Sequence, residues 1–163
     1  MMSKRSNYES VSGGFTATAA SDVVGVAQAT VVAWGGRGLV DADARASEGQ
    51  GSPKKYKPLN LVQMRVVKEL FKRGLTQDQV KRLDREKVRR WFDPSKIPSH
   101  GVEWLMVIDG DEWFVEFVRT KTGKKGGILS VEDINIERAL GKAKWVLSIN
   151  LNVIKQEIAD AAG

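Results

Sequence analysis

Residues 15–40 read FTATAASDVVGVAQATVVAWGGRGLV, a stretch of small and β-branched residues in which two short helices can be laid end to end. Thr16 to Val24 fits the first and Ala27 to Trp34 the second, with Gly25 between them, where a tight turn needs a residue free to take a positive φ. Ser21, Gly25 and Val31 have the spacing of a helix-turn-helix: a small residue four before the turn glycine and an apolar residue six after it. The small residue lets the helices approach, the glycine makes the turn, and the apolar side chain anchors the second helix on the first. Short helical hairpins in other folds share this spacing, so the flanking sequence has to decide between them.

On the N-terminal side, residues 1–14 (MMSKRSNYESVSGG) are polar, aperiodic and end in two glycines, and are expected to form a disordered leader. On the other side, residues 41–52 are rich in Ala, Gly, Asp and Ser and read as a loop. Lys54, Lys55, Tyr56 and Lys57 then form a basic-aromatic stretch, and Pro58 suits the first turn of a helix. Leu59, Val62, Val66 and Leu70, and beyond them Val80 and Leu83, recur at three- and four-residue steps, giving two amphipathic helices. Arg73 and Gly74 end the first and Thr76 caps the second. The second is expected to run through a charged segment towards Trp91 and to stop before Pro94.

Beyond a linker at residues 94–101 the period becomes that of strands. Trp104 to Ile108 and Trp113 to Val118 flank an Asp-Gly turn and read as a β-hairpin. A short helix over Val131 to Leu140, a third strand over Lys144 to Ile149 and a closing helix over Val153 to Ala162 follow. The expected class is α+β: a helical domain over residues 15–93 and a small mixed unit with a hairpin over residues 102–163. Trp104, Trp113, Phe114, Phe117 and Trp145 supply aromatic surface for the core of that unit or for an interface.

The formal net charge of +6 is unevenly placed. Residues 53–90 carry 13 basic and 4 acidic side chains, against 4 and 5 in residues 1–52 and 9 and 11 in residues 91–163. A local excess of +9 raises affinity for polyanions, of which nucleic acid is the commonest met inside a cell. The absence of cysteine excludes disulfides and thiolate metal sites, and a single histidine, His100, excludes an imidazole-rich metal site. Asp109, Asp111 and Glu112 sit on a turn signal without the spacing of a calcium loop. The glycines around Lys124 and Lys125 lack the Ser or Thr of a P-loop. No catalytic residue, metal or cofactor is expected, nor a membrane span or secretory signal, so the expected location is cytoplasmic and nucleoid-associated.

The stretch quoted first, followed by GQGSPKKYKPLNLVQMRVVKELFKRGLTQDQVKRL at residues 49–83, resembles the DNA-binding domain of MerR-type transcriptional regulators. The ordered set that carries the resemblance is Val31, Trp34, Gly38 and Leu39, then Gly51 to Tyr56 as a wing, then Leu70, Gly74, Leu75 and Val80. The resemblance implies a winged helix-turn-helix whose second helix enters the major groove of double-stranded DNA while the wing and the third helix grip flanking phosphates. The DNA-contacting set it implies is Thr16, Gln28, Thr30, Trp34, Arg37, Lys54, Lys55, Tyr56, Lys57 and Arg65. The lysines can neutralise phosphates and Tyr56 can pack at the wing base and offer its hydroxyl.

The second helix departs from the family pattern. Members usually carry a serine at its N-cap and an arginine followed by aromatic, acidic and basic residues, whereas here Ala27 and Val32 to Gly36 stand in those places and no charge remains between Ala27 and Gly36. Gln28 and Thr30 are the polar side chains left to read base edges. The alternative is a protein-interaction adaptor on a degenerate helix-turn-helix, using Val31, Val32 and Trp34 against a protein partner. Family members dimerise through a long coiled coil, for which Pro94 leaves no room here, so a homodimer would form through residues 102–163.

Overall fold

The computed structural model describes residues 14–41, 55–83, 89–109, 113–120 and 141–162. Its backbone contacts divide the chain into two compact units, Met1–Arg82 with Glu157–Gly163, and Leu83–Gln156. The expected leader up to residue 13, the loop and wing tip at residues 42–54, the turn glycine Gly110 and the helix expected over Val131 to Leu140 lie outside the described residues.

The first unit contains α1 (Ala17–Val24), α2 (Gln28–Gly36), α3 (Pro58–Lys72) and α4 (Gln77–Lys81). Thr16 caps α1, its hydroxyl accepting from the Ala19 N–H at 3.2 Å. Gly25 ends the helix at φ 73° and ψ 43° and donates its N–H to the Ser21 carbonyl at 2.8 Å. That left-handed conformation is why the turn needs glycine. The Ser21 hydroxyl donates to the Thr18 carbonyl of its own helix, and Ala20, Val24 and Val31 are fully buried around it.

Helix α3 opens on Pro58, with the Asn60 side chain accepting from the Lys57 N–H at 2.8 Å. Its apolar stripe is wider than a single face: Leu61, Met64 and Val67 are buried beside Val62, Val66 and Leu70, because α1 and α4 both pack on this helix. Leu59, by contrast, is half-buried. The break falls where the sequence places it, with Arg73 as C-cap, Gly74 at φ 89° and the Leu75 N–H reaching back to the Leu70 carbonyl at 3.1 Å. Thr76 and Gln79 then cap α4 reciprocally. The expectation that α4 runs on to Trp91 does not hold: it closes at Lys81 with Arg82 as C-cap, and residues 89–91 are helical anew. The Arg82 N–H turns back to the Gln79 carbonyl at 3.2 Å, an i→i−3 closure that ends the helix, and residues 84–88 lie outside the described residues.

The second unit is built on an antiparallel sheet of β1 (Val102–Asp109), β2 (Trp113–Thr120) and β3 (Trp145–Asn150) in the order β2-β1-β3, followed by the start of α5 (Leu151–Ala162), whose residues from Glu157 on belong to the first unit. The central strand sets Leu105 opposite Phe117 on one side and Ile149 on the other. Leu105, Val107, Ile108, Phe117, Val118, Leu147 and Ile149 are buried, with Leu151 and Ile154 of α5. Trp91 stacks on Phe117 at 5.5 Å and Phe92 meets the same ring edge-on at 5.7 Å. Of the aromatic residues weighed for core or interface, Phe117 is core, Trp104 is half-buried and Trp145 is exposed; the Trp113 and Phe114 side chains lie outside the described residues.

A charged cluster is enclosed in this unit. Lys155, with 0% exposure, donates to the Glu103 carboxylate at 2.5 Å and to the Lys96 carbonyl at 3.1 Å. Arg119 engages the other oxygen of Glu103 and lies over the Trp91 ring at 5.8 Å. Burying an ammonium group is tolerable here because it meets two acceptors, one of them a carboxylate that carries the opposite charge.

Candidate nucleic-acid interface

Helix α2 is held at both ends by α3. At its start, Arg65 donates to the Val24 carbonyl at 3.3 Å, and the Lys68 ammonium reaches the carbonyls of Val24 at 3.4 Å and Gly25 at 3.0 Å. These carbonyls close α1, where cations satisfy acceptors that have no partner within the helix and oppose its negative end. The turn into α2 is thereby fixed on α3. At the other end, Arg37 is the C-cap, Gly38 takes φ 70°, and the Leu39 N–H returns to the Trp34 carbonyl at 2.9 Å. The buried Gln63 side chain donates to the Leu39 carbonyl at 3.3 Å and accepts from the Asp41 N–H at 3.4 Å.

Between those anchors, Val31 and Trp34 face inward, Trp34 lying 6.0 Å from the Phe71 ring. Gln28, Ala29, Val32 and Gly36 face outward and are exposed, Val32 to 56%, while Thr30, Ala33 and Gly35 are half-buried. No charge stands on the outward face. Ala27, at φ −64° and ψ 145°, has cap geometry without a side-chain hydrogen bond, so the first turn of α2 is open.

The basic-aromatic stretch is attached to the residues before α1. Phe15 and Tyr56 form an antiparallel bridge with N···O distances of 2.7 and 2.8 Å, which sets Thr16 opposite Lys55. Gly14, at φ 93°, lies so close that a Cβ there would come within 2.8 Å of the Tyr56 carbonyl. Tyr56 itself is 1% exposed, and burial pushes its phenol pKa above the ordinary value. A Cβ on Gly35 would lie 3.4 Å from the Tyr56 hydroxyl, so the ring links the wing base to α2.

The sequence-derived contact set thus falls into groups. Thr16, Gln28, Arg37 and Lys57 are exposed and Thr30 and Lys55 half-buried; Lys54 lies outside the described residues. Trp34 and Tyr56 are packing residues by their burial. Arg65 is committed to Val24 and to the Glu157 carboxylate at 2.7 Å. Sequence reading passed over Gln63 and Lys68, whose partners stand 22 to 44 positions away. The available signal was a glutamine set within the apolar run LVQMRVV.

A helix pair joined at a left-handed glycine, with the second helix clamped behind and open in front, is a helix-turn-helix module of the kind that docks on DNA. Residues 15–87 match the model of the MerR HTH family regulatory proteins, and this part of the chain is a MerR-type helix-turn-helix domain. The family it matches is one of helix-turn-helix regulatory proteins. Comparison with curated proteins returned no match. Among the described residues, no helix is long and apolar enough to cross a membrane, and no group of three or more His, Cys, Asp or Glu could hold a metal ion.

Proposed function

We propose that the protein is a transcriptional regulator that lays α2 in the major groove and grips the flanking backbone with Thr16, Arg37 and the lysines at positions 54, 55 and 57. The observation that carries this reading is the Phe15–Tyr56 bridge, which ties the basic stretch to the start of the helix pair, so that phosphate donors and the open face of α2 belong to one rigid arrangement. Phosphate contacts set register and most of the affinity, and the groove helix sets sequence preference. The exposed Trp145, Val146 and Val153 of the sheet unit support its use as a dimer surface.

Fluorescence anisotropy of the full chain on its own upstream duplex, across a salt series, tests the reading. The expected result is a steep fall of affinity with salt, with the log–log slope reduced by roughly 1 for each lysine lost in Lys55→Ala and Lys57→Ala. Binding indifferent to salt and to both substitutions would overturn it. The exposure of Val32 favours one second reading, an adaptor whose α2 meets a protein, and absence of binding to any duplex would select it.

A further inference from the structure

Resting on the DNA-binding reading above, we infer that the outward face of α2 reads A·T base pairs, with Gln28 on an adenine and Val32, beside Ala29, on a thymine methyl group. The chemistry of the face decides this. Guanine offers two acceptors to the major groove and is taken by Arg or Lys, while the cytosine amino group is taken by a carboxylate. None of those side chains stands anywhere in α2. What stands on the face is one amide and two aliphatic side chains. An amide donates to adenine N7 and accepts from its N6 amino group, and thymine is the base that presents an apolar group, its C5 methyl.

The geometry agrees with this division. Gln28 and Val32 are four residues apart, one above the other on the exposed face and about 5–6 Å apart at Cβ. Base pairs are stacked about 3.4 Å apart, so the two side chains reach steps one or two pairs apart. Gly36 continues the same row, and a Cβ there would meet nothing within 4 Å, so the end of the face is bare backbone that admits close approach. Val31 and Trp34 behind the row are buried, which keeps its orientation fixed.

The test begins with in vitro selection by the full chain from a random duplex pool, which should enrich A·T pairs at the centre of each half-site. On the selected duplex, replacing those thymines by deoxyuridine removes only the methyl groups and should weaken binding about fourfold per contacted methyl. Replacing the adenines by 7-deazaadenine should weaken it about fivefold or more. Val32→Ala should erase the response to deoxyuridine and Gln28→Ala the response to 7-deazaadenine. Both positions are exposed, and the modified duplexes need no variant. Enrichment of G·C pairs, or unchanged affinity for both modified duplexes, would overturn the inference. Salt-dependent binding without any enrichment would remove base reading while leaving the DNA-binding function standing, whereas no retained duplex at any salt would remove both.

Discussion

The two units handle internal charge in opposite ways. In the helix-turn-helix unit, Arg65 and Lys68 stay partly in water and lend their charge to the carbonyls that end α1. In the sheet unit, Lys155 is withdrawn from water altogether and survives through Glu103 and the Lys96 carbonyl. Each arrangement matches what surrounds it. The helical unit depends on turns and caps, which a solvated cation can trim at little cost, whereas a cation inside the sheet unit makes the core conditional on one carboxylate. Removing charge should therefore be nearly harmless in one unit and severe in the other.

The sharpest way to break that contrast is Glu103→Gln, which leaves the Lys155 ammonium buried without its counter-ion. A loss of about 3–5 kcal/mol is expected, read as a lowered urea midpoint by tryptophan fluorescence. A change below about 1 kcal/mol would mean that the Lys96 carbonyl and the amide oxygen left at position 103 suffice. Next comes a gain: Ala27→Ser supplies the missing cap to the N–H of Ala29 or Thr30 and should add about 1 kcal/mol to stability, seen as a higher midpoint of the helical signal by circular dichroism. The smallest effect should come from Glu157→Gln, which opens the half-exposed pair with Arg65. A loss under about 1 kcal/mol is expected, and a larger one would equate this pair with the buried one.

The same contrast explains what could be read from the chain. The helix-turn-helix unit is local, and its punctuation is written in particular residues. Gly25 and Gly74 take positive φ, Thr76 caps and Pro58 opens α3, all at positions the sequence marks, while Thr16, expected as the first helical residue, is the cap of α1. The sheet strands were legible through alternation and the Asp-Gly signal, with β1 extending to Val102 and β2 to Thr120, beyond the expected ends. The end of α4 was not, because Arg82 closes it through the Gln79 carbonyl at a charged position that carries no Gly, Asn or Pro stop signal. The clamps on α2 were equally hidden: Gln63 and Lys68 act on carbonyls brought to them by folding, and nothing beside them in sequence announces those partners. Of the proposed contacts, types could be named in advance, but burial separated Trp34 and Tyr56 from the exposed set.

The Arg65–Glu157 pair has a bearing on ion accounting. A phosphate that approaches Arg65 meets a guanidinium already neutralised by a carboxylate of the same chain. To take that cation it must leave Glu157 bare, and the bared carboxylate gathers the small cation that the phosphate gives up. The exchange releases no net counterion, so a contact made there adds nothing to the salt slope even where it adds to the fit. On the proposed reading the slope would count Lys55 and Lys57 and be blind to Arg65, and the number of phosphates held would exceed the number the salt titration reports.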